Sequence, residues 1–542
     1  MKNQANVLTH SAVLDAAHQG DIKGAFGTIR QHDLAPRKTW GARLRTLLAI
    51  MGPGLIVMVG DNDAGGVATY TQAGQNYGTS LLWVLLLLIP VLIVSQEMVV
   101  RLGLVTGVGH AQLIFKRFGR FWGWFSVGDL FLVNFLTIVT EFIGISMAMS
   151  HLGVKPYISV PAAALLLIGF TVTGSFRRWE QFMYICIITN LIVIPLAFMS
   201  HPAAAPIMND ILKPHIQGGL NSNVMLLIIG IVGTTVAPWQ LFFQQSNVID
   251  KRLTPRWMNY ERADTIIGSF FVVLGAAALI ITAAFAFKGT SFAGNFVDSA
   301  SVAAALSKTV GISAGNIFAV VLLNSSIIGA AALTLSTSYA YGDVFKVNHS
   351  LHRKWSEAKG FYTTFVIIIA LAASIVLIPN APLGLMTILV QALAGVLLPS
   401  ATVFLVLLCN DKHILGPWVN KPWQNALSMI IVGILVMLSL ILATTTMFPT
   451  IDVNLLVKVL SSILLATLLI AGFIQLLRKN KKEEKTEVKL DRMTWRMAPL
   501  TELPRVIPSK GRTFGMVTLR LYLVVAIVLL VVKAFQLALG LK

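Results

Sequence analysis

About a dozen apolar stretches, separated by short polar segments, constrain this chain more than any other feature. Each is close to the ~20 residues that cross ~30 Å of hydrocarbon as a helix. A segment in lipid must satisfy its own backbone hydrogen bonds, so only helices or a closed barrel can span. Runs such as Leu81 to Val94 are unbroken and lack the in/out alternation of a barrel strand. The composition agrees: 542 residues are 56% hydrophobic and only 12% charged, with mean hydropathy +0.76. An all-α polytopic membrane protein is expected, and most soluble enzymes are excluded.

Hydropathy and breakers predict spans near 47–74, 79–100, 121–150, 157–175, 181–200, 223–246, 263–287, 315–342, 361–379, 383–409, 424–448, 455–477 and 515–539. The excess of 42 Lys+Arg over 23 Asp+Glu, +19, has a topological reading rather than a nucleic-acid one. Basic residues precede the first span (Arg37, Lys38, Arg43, Arg45) and follow every even one, among them Arg101, Arg117, Arg177, Arg252, Arg353 and Lys412. Cytosolic loops retain Lys and Arg, so the N-terminus is expected inside. The first ~40 residues lack the apolar core of a signal peptide and read as a cytosolic tail. Cys186 and Cys409 lie in apolar stretches, which gives no sign of a disulfide framework.

Two spans are interrupted in the same manner. The first reads Met58-Val59-Gly60-Asp61-Asn62-Asp63-Ala64-Gly65-Gly66, and the sixth reads Gly230-Ile231-Val232-Gly233-Thr234-Thr235-Val236-Ala237-Pro238-Trp239-Gln240. Gly costs about 1 kcal/mol and Pro about 3 in a helix interior, so both spans are expected to unwind. Pro238 removes the donor for the carbonyl four residues earlier, that of Thr234, and pushes Ala237 away from helical geometry. Matching breaks five spans apart are the signature of a five-plus-five inverted repeat with a midplane binding site.

A carboxylate at bilayer depth costs at least ~2.5 kcal/mol, so Asp61 and Asp63 need partners. An extended segment would turn both towards one centre, where the carbonyls of Gly60 and Thr234 add neutral oxygens. The alternative is that one Asp caps the second half-helix. All ten histidines lie outside the predicted spans. A centre of carboxylate, carbonyl, amide and water suits hard ions, Mg²⁺ first and Mn²⁺ next, with Mg²⁺ keeping several waters. Glu141 would line the ion's path or tie two helices. Gln391 would offer an amide to the cavity, and Glu97 and Asp129 are read as structural.

At these residues the sequence resembles the NRAMP family of divalent-metal transporters, over roughly 45–410. The resemblance rests on Gly52-Pro53-Gly54, Asp63-Ala64-Gly65-Gly66-Val67-Ala68-Thr69, Arg101-Leu102-Gly103-Leu104-Val105-Thr106-Gly107, Glu141-Phe142-Ile143-Gly144 and Ala237-Pro238-Trp239-Gln240. It implies a LeuT-like fold with discontinuous first and sixth helices and twelve or thirteen spans. It also implies that Asp63, Gly60, Thr234 and Gln391 stand at the family's metal-binding positions; with Asp61, which replaces an aromatic residue of the family's motif, and Ala237 they form the expected metal site, and Glu141 and Gln240 are expected on the ion pathway. The departures matter as much. Gly66 replaces the family's Asn, Ala237 its Met, Trp239 its His, and Ile138 an acid of the third span. Loss of the soft sulfur removes the basis for preferring transition metals, and the smaller side chains suggest a roomier site. The pattern is similar to the NRAMP-related magnesium transporters.

The resulting expectation is an importer of Mg²⁺, also of Mn²⁺, working by alternating access without proton coupling. The rival is a proton-coupled Mn²⁺ or Fe²⁺ importer. No catalytic residues and no cofactor are expected, the metal being cargo. Expected partners are the metal ion and the lipid bilayer of the cell membrane, with no nucleic acid and a monomer favoured. The expected organisation is a tail (1–45), a transport core (46–410), two peripheral helices (411–478), a basic linker (479–513) and a further C-terminal span (514–542).

Overall fold

The computed structural model describes residues 14–33, 35–379, 383–448, 450–479, 492 and 495–504, with isolated positions beyond. Among the described residues, ten helices are long and apolar enough to cross a membrane, or eleven if one bent pair is counted as a span. Twelve of the predicted spans have counterparts, the fourth as the shorter helix Pro156–Thr171. The linker at 479–513 falls largely, and the expected thirteenth span almost wholly, outside the described residues.

The first span is a broken rod. Helix Trp40–Ile50 meets Pro53–Val59 at 56°, and Ala64–Tyr77 continues after a second interruption. The first bend is built by Gly52-Pro53-Gly54. Gly52 has φ 156°, and a side chain there would strike the Glu180 carboxylate and the Lys251 ammonium. A Cβ on Gly54 would lie 2.9 Å from Asp264 Oδ2. That carboxylate, on the seventh span (Met258–Ala286), accepts from the N–H groups of Gly52 (2.9 Å), Gly54 (2.7 Å) and Leu55 (3.1 Å). It thereby satisfies helix-end donors that water would otherwise have to meet.

The sixth span is also divided, into Ser222–Thr235 and Pro238–Asp250. First-span segments pack on the seventh span, and the sixth packs on the second (Leu82–Thr106) and tenth (Leu383–Cys409). The third span (Arg120–His151) packs on the eighth (Ile312–Phe345), ninth (Lys359–Val376) and tenth.

The expected tail is partly built into the bundle. A short antiparallel pair, β1 (Ile22–Gly24) and β2 (Gly27–Ile29), buries Ile22, Ala25 and Ile29. Residues 14–33 are held by Arg177 after the fourth span, Arg252 after the sixth and Arg353 after the eighth. Loops after the even spans therefore meet the N-terminal segment on one face, the arrangement that the basic residues anticipate. Glu97 has the structural role expected, bridging Arg101 (3.2 Å) and Arg262 (2.6 Å).

Beneath this segment lies a cluster that the sequence did not reveal. Asp250 is fully buried and accepts from the Tyr339 hydroxyl, the Ser350 hydroxyl and Leu351 N–H. Beside it, His349 Nε2 lies 3.4 Å from Asp343 Oδ1. Burial alone would lower the His349 pKa, but the hydrogen bond and charge of Asp343 outweigh it and raise the value. A raised value means that the pair's contribution to stability is complete below the ordinary value near 6.5 and is lost as the pH climbs through the folded-state value. A His349→Gln variant should therefore melt below the parent by the widest margin in mildly acidic buffer, worth about 1.5–3 kcal/mol for a charged hydrogen bond. The gap should close in alkaline buffer. Thermal melts across pH in detergent check this, and a pH-independent gap would remove the ion pair from the account.

Candidate functional site

The two broken spans meet at their breaks. Pro53–Val59 ends at Gly60, itself still helical (φ −61°, ψ −16°), and residues 60–62 turn tightly, with Asp61 N–H donating to Met58 O (3.2 Å) and Asn62 N–H to Val59 O (3.1 Å). Only Asp63 is extended, at φ −71° and ψ −175°. The expectation of a continuous extended stretch is thus corrected, because short-range turn bonds satisfy the backbone more economically than an open strand in an apolar interior would.

Of the two roles weighed for Asp61 and Asp63, capping falls to Asp63. Asp63 is the N-cap of Ala64–Tyr77, its Oδ1 accepting from Gly66 N–H at 2.6 Å, with the Thr234 hydroxyl 3.5 Å away. Asp61 is fully buried, and neither of its carboxylate oxygens has a well-formed hydrogen bond. Its backbone carbonyl faces the Thr234 hydroxyl at 3.4 Å. A buried carboxylate without donors is a group awaiting a partner, and an unpaired one is costly.

The sixth-span break follows from Pro238. Ala237 is extended (φ −94°, ψ 150°) and Pro238 opens the next helix, as the sequence predicts. Ala237 is 4% exposed and offers no side-chain donor. Gln240 is turned into the break, its Nε2 donating to Thr235 O (3.2 Å), while its Oε1 accepts from Gln96 Nε2 (2.8 Å). Gln96, on the second span, was missed by sequence reasoning, although an amide inside a long apolar run was the available signal. The indole of Trp239 lies against Gly60, where a Cβ would be 3.1 Å from the ring.

Glu141 and Gln391 complete the surroundings. Glu141 is fully buried on the third span, its Oε2 accepting from Ala64 N–H (3.0 Å) and its Oε1 unpartnered. Its carboxyl and the Asp63 Cβ flank Gly329 of the eighth span at 2.7 and 3.0 Å from where a Cβ would stand. Gln391, on the tenth span, rests its amide on Gly65, and its Nε2 has no partner. The space expected from Gly66 is already taken. A Cβ there would lie 2.6 Å from Asp61 O, 3.0 Å from Thr234 Oγ1 and 3.2 Å from the Tyr70 ring. Tyr70 is held in turn by a 2.8 Å hydrogen bond to Thr235. All eight predicted site residues thus belong to one buried neighbourhood at the two breaks.

Chemically, the assembly is a set of oxygen donors: carboxylates of Asp61 and Asp63, the Thr234 hydroxyl, backbone carbonyls and two amides. Among the described residues, no three His, Cys, Asp or Glu side chains converge as they would around a metal ion. An ion here would therefore draw on backbone, amide or water as well.

A family model described as natural resistance-associated macrophage protein-like (Nramp) matches residues 54–445. The divalent metal cation transporter MntH of Staphylococcus aureus strain JH9 is 26% identical over 423 residues, 74% of this chain and 91% of that protein. MntH of strain Newman matches with the same values. Among solved structures, the Eremococcus coleocola manganese transporter in complex with an aromatic bis-isothiourea compound superposes with a TM-score of 0.64 at 21% identity, covering 84% of this chain and 98% of that one. The fold is accordingly LeuT-like.

The sixth span approaches the tenth through Gly233, where a Cβ would be 2.5 Å from Gln391 O and closer still to the Gly395 amide. Backbone cannot yield as a side chain can, so Gly233→Ala should cost about 1–3 kcal/mol. It should also displace Gln391. A lowered melting temperature together with weakened ion binding checks this, and a variant as stable as the parent would show that the two helices part easily.

Proposed function

Because this chain belongs to the Nramp family of divalent metal transporters, we propose that its broken first and sixth spans carry chiefly Mg²⁺, and also Mn²⁺, into the cell by alternating access without proton coupling. The observation that carries this reading is the pairing of Asp61, buried with no well-formed hydrogen bond to either oxygen, with Asp63 and Thr234 at the junction of the two breaks. Two carboxylates beside neutral oxygens favour a divalent cation over an anion. With Ala237 at the bend, the sixth span brings no soft ligand there, and hard ions gain by comparison. The shortage of converging side-chain ligands suits an ion that keeps part of its hydration shell, as Mg²⁺ does.

The driving force needs no second ion. At ~2.3 kcal/mol per charge per 100 mV, a divalent cation gains about 4.6 kcal/mol on moving inward. In this reading the N-terminus and the basic loops lie inside the cell. Trp239 and Ile138 occupy the positions of the family's His and acid, so two groups suited to carrying a proton are replaced.

A second reading is proton-coupled Mn²⁺ import. It is favoured by the buried, half-partnered Glu141 beside Asp63, and its metal is that of the Eremococcus coleocola manganese transporter. Uptake into liposomes with an internal pH dye separates the two: Mg²⁺ entry without acidification supports the first, and Mn²⁺-dependent acidification the second.

Asp63→Asn retains an N-cap acceptor while removing the charge. It should fold and melt near the parent yet lose Mg²⁺ uptake at least 100-fold, equivalent to about 2.7 kcal/mol or more. Unchanged flux would refute the site. Ala237→Met adds a thioether at the bend and should raise the Mn²⁺ to Mg²⁺ uptake ratio, measured in competition; an unmoved ratio would dissociate residue 237 from selectivity.

A further inference from the structure

Residues 14–33 are fastened to the bundle by contacts too specific for a loose tail. Both backbone groups of Ala25, at the tip of the β1–β2 hairpin, are held by the fifth span. Its N–H donates to Glu180 Oε2 (2.5 Å), and its carbonyl accepts from Gln181 Nε2 (3.2 Å). The adjacent Gly24 carbonyl accepts from Arg177 Nε (2.9 Å), and a side chain on Gly24 would strike the Ala49 carbonyl at the start of the first span. Phe26 packs edge-on against Tyr184 at 4.6 Å. Further back, Arg252 donates to Ala17 O (2.9 Å) and Asp21 O (3.3 Å), and Arg353 pairs with Asp15 (3.1 Å). The segment thus ties together the first span, the fifth, the end of the sixth and the loop after the eighth.

What it covers is polar. Directly under Ala25, Glu180 and Lys251 form a fully buried ion pair at 2.5 Å, Lys251 also donating to Met51 O (2.9 Å). Asp264 and Glu261 lie within electrostatic reach of that pair, and neither Glu261 oxygen makes a well-formed hydrogen bond. Three acidic side chains crowd one ammonium, all fully buried, an arrangement of high cost unless water or a cation reaches it in another state. It lies at the end of the same half-span whose other end is the Gly60–Asp63 break.

We propose that residues 14–33 are a lid on the inner mouth of the ion path. It must lift from the fifth span and from the Arg353 loop for a divalent cation to leave, and its lifting opens a carboxylate-lined vestibule of Glu180, Glu261 and Asp264. The placement at the inner mouth rests on the orientation and transport reading given above; the lid itself rests on the contacts just described.

The test uses the full chain with Cys186 and Cys409 replaced by Ala. A Phe26→Cys/Tyr184→Cys pair, bridged by a short bis-methanethiosulfonate, should slow Mg²⁺ or Mn²⁺ uptake into liposomes at least tenfold. Dithiothreitol should restore the rate, and Mn²⁺ binding measured by calorimetry should remain. A bridged protein that transports at the unbridged rate overturns the lid, whereas loss of Mn²⁺ binding in the unbridged, unmodified chain would instead fault the site at the breaks. Should that pair fail to fold, Arg252→Gln/Arg353→Gln loosens the lid from outside. Reaction of a Thr265→Cys reporter with a water-soluble maleimide should then accelerate at least tenfold, and an unchanged rate overturns the proposal. Labelling of Thr28→Cys by an impermeant maleimide from the cell exterior would overturn the assignment to the inner mouth.

Discussion

A helix interrupted inside a membrane leaves amides and carbonyls that lipid cannot satisfy, and the rest of this structure answers to that constraint. Two carboxylates do most of the repair along the first span. Asp264 reaches across from the seventh span to three N–H groups at the Gly52 bend, and Asp63 caps the half-helix that restarts after Gly60–Asn62. At the sixth span, Pro238 has no N–H to satisfy, and Gln240 donates to the Thr235 carbonyl. With these repairs made, the irregular backbone persists as a defined place rather than a local melt. At the two breaks, Asp61 is then the carboxyl left without a well-formed hydrogen bond, and this makes it the candidate counterpart of an ion.

The same constraint explains the closeness of packing around the breaks. Gly65, Gly66, Gly233 and Gly329 each stand where a methyl would meet a carbonyl, an amide or a carboxylate. Small residues let the first, third, sixth, eighth and tenth spans converge on one polar point, and the polar groups supply attraction that lipid, as apolar as Leu, does not. Selectivity would then be set by which atoms the spans bring to that point. Here they bring oxygens and the flank of an indole.

Much of this was legible in the sequence. Apolar run length and breaker residues located twelve spans, and the paired interruptions located the site, since both signals are written in single residues of large energetic weight. The alternation of basic loops anticipated that Arg177, Arg252 and Arg353 would share a face. What escaped was decided by partners distant in the chain. Asp264 could not be matched to Gly52 across more than two hundred residues, nor Gln96 to Gln240, nor Glu180 to Lys251. The N-terminal hairpin escaped because its register depends on the fifth span beneath it, and its own composition is that of a polar tail. The tight turn at 60–62 escaped because breakers announce that a helix stops without saying how the chain proceeds.

The bond from Asp264 to the head of the first span has a mechanical consequence. Three charge-assisted hydrogen bonds, at about 1.5–3 kcal/mol each, bolt Pro53–Val59 to the seventh span, so that half-rod cannot swing alone without surrendering several kcal/mol. Gly60–Asn62, by contrast, is held by neutral bonds: three backbone N–H groups that donate within the first span, and Asn62 Nδ2 to Val272 O (3.1 Å). The compliant joint therefore falls beside Asp61, and the half-rod is the stiff arm, anchored on a seventh span that also packs along Ala64–Tyr77. Any rearrangement of that arm pivots next to the carboxylate that would hold the cargo, so occupancy and hinge angle share a single fulcrum.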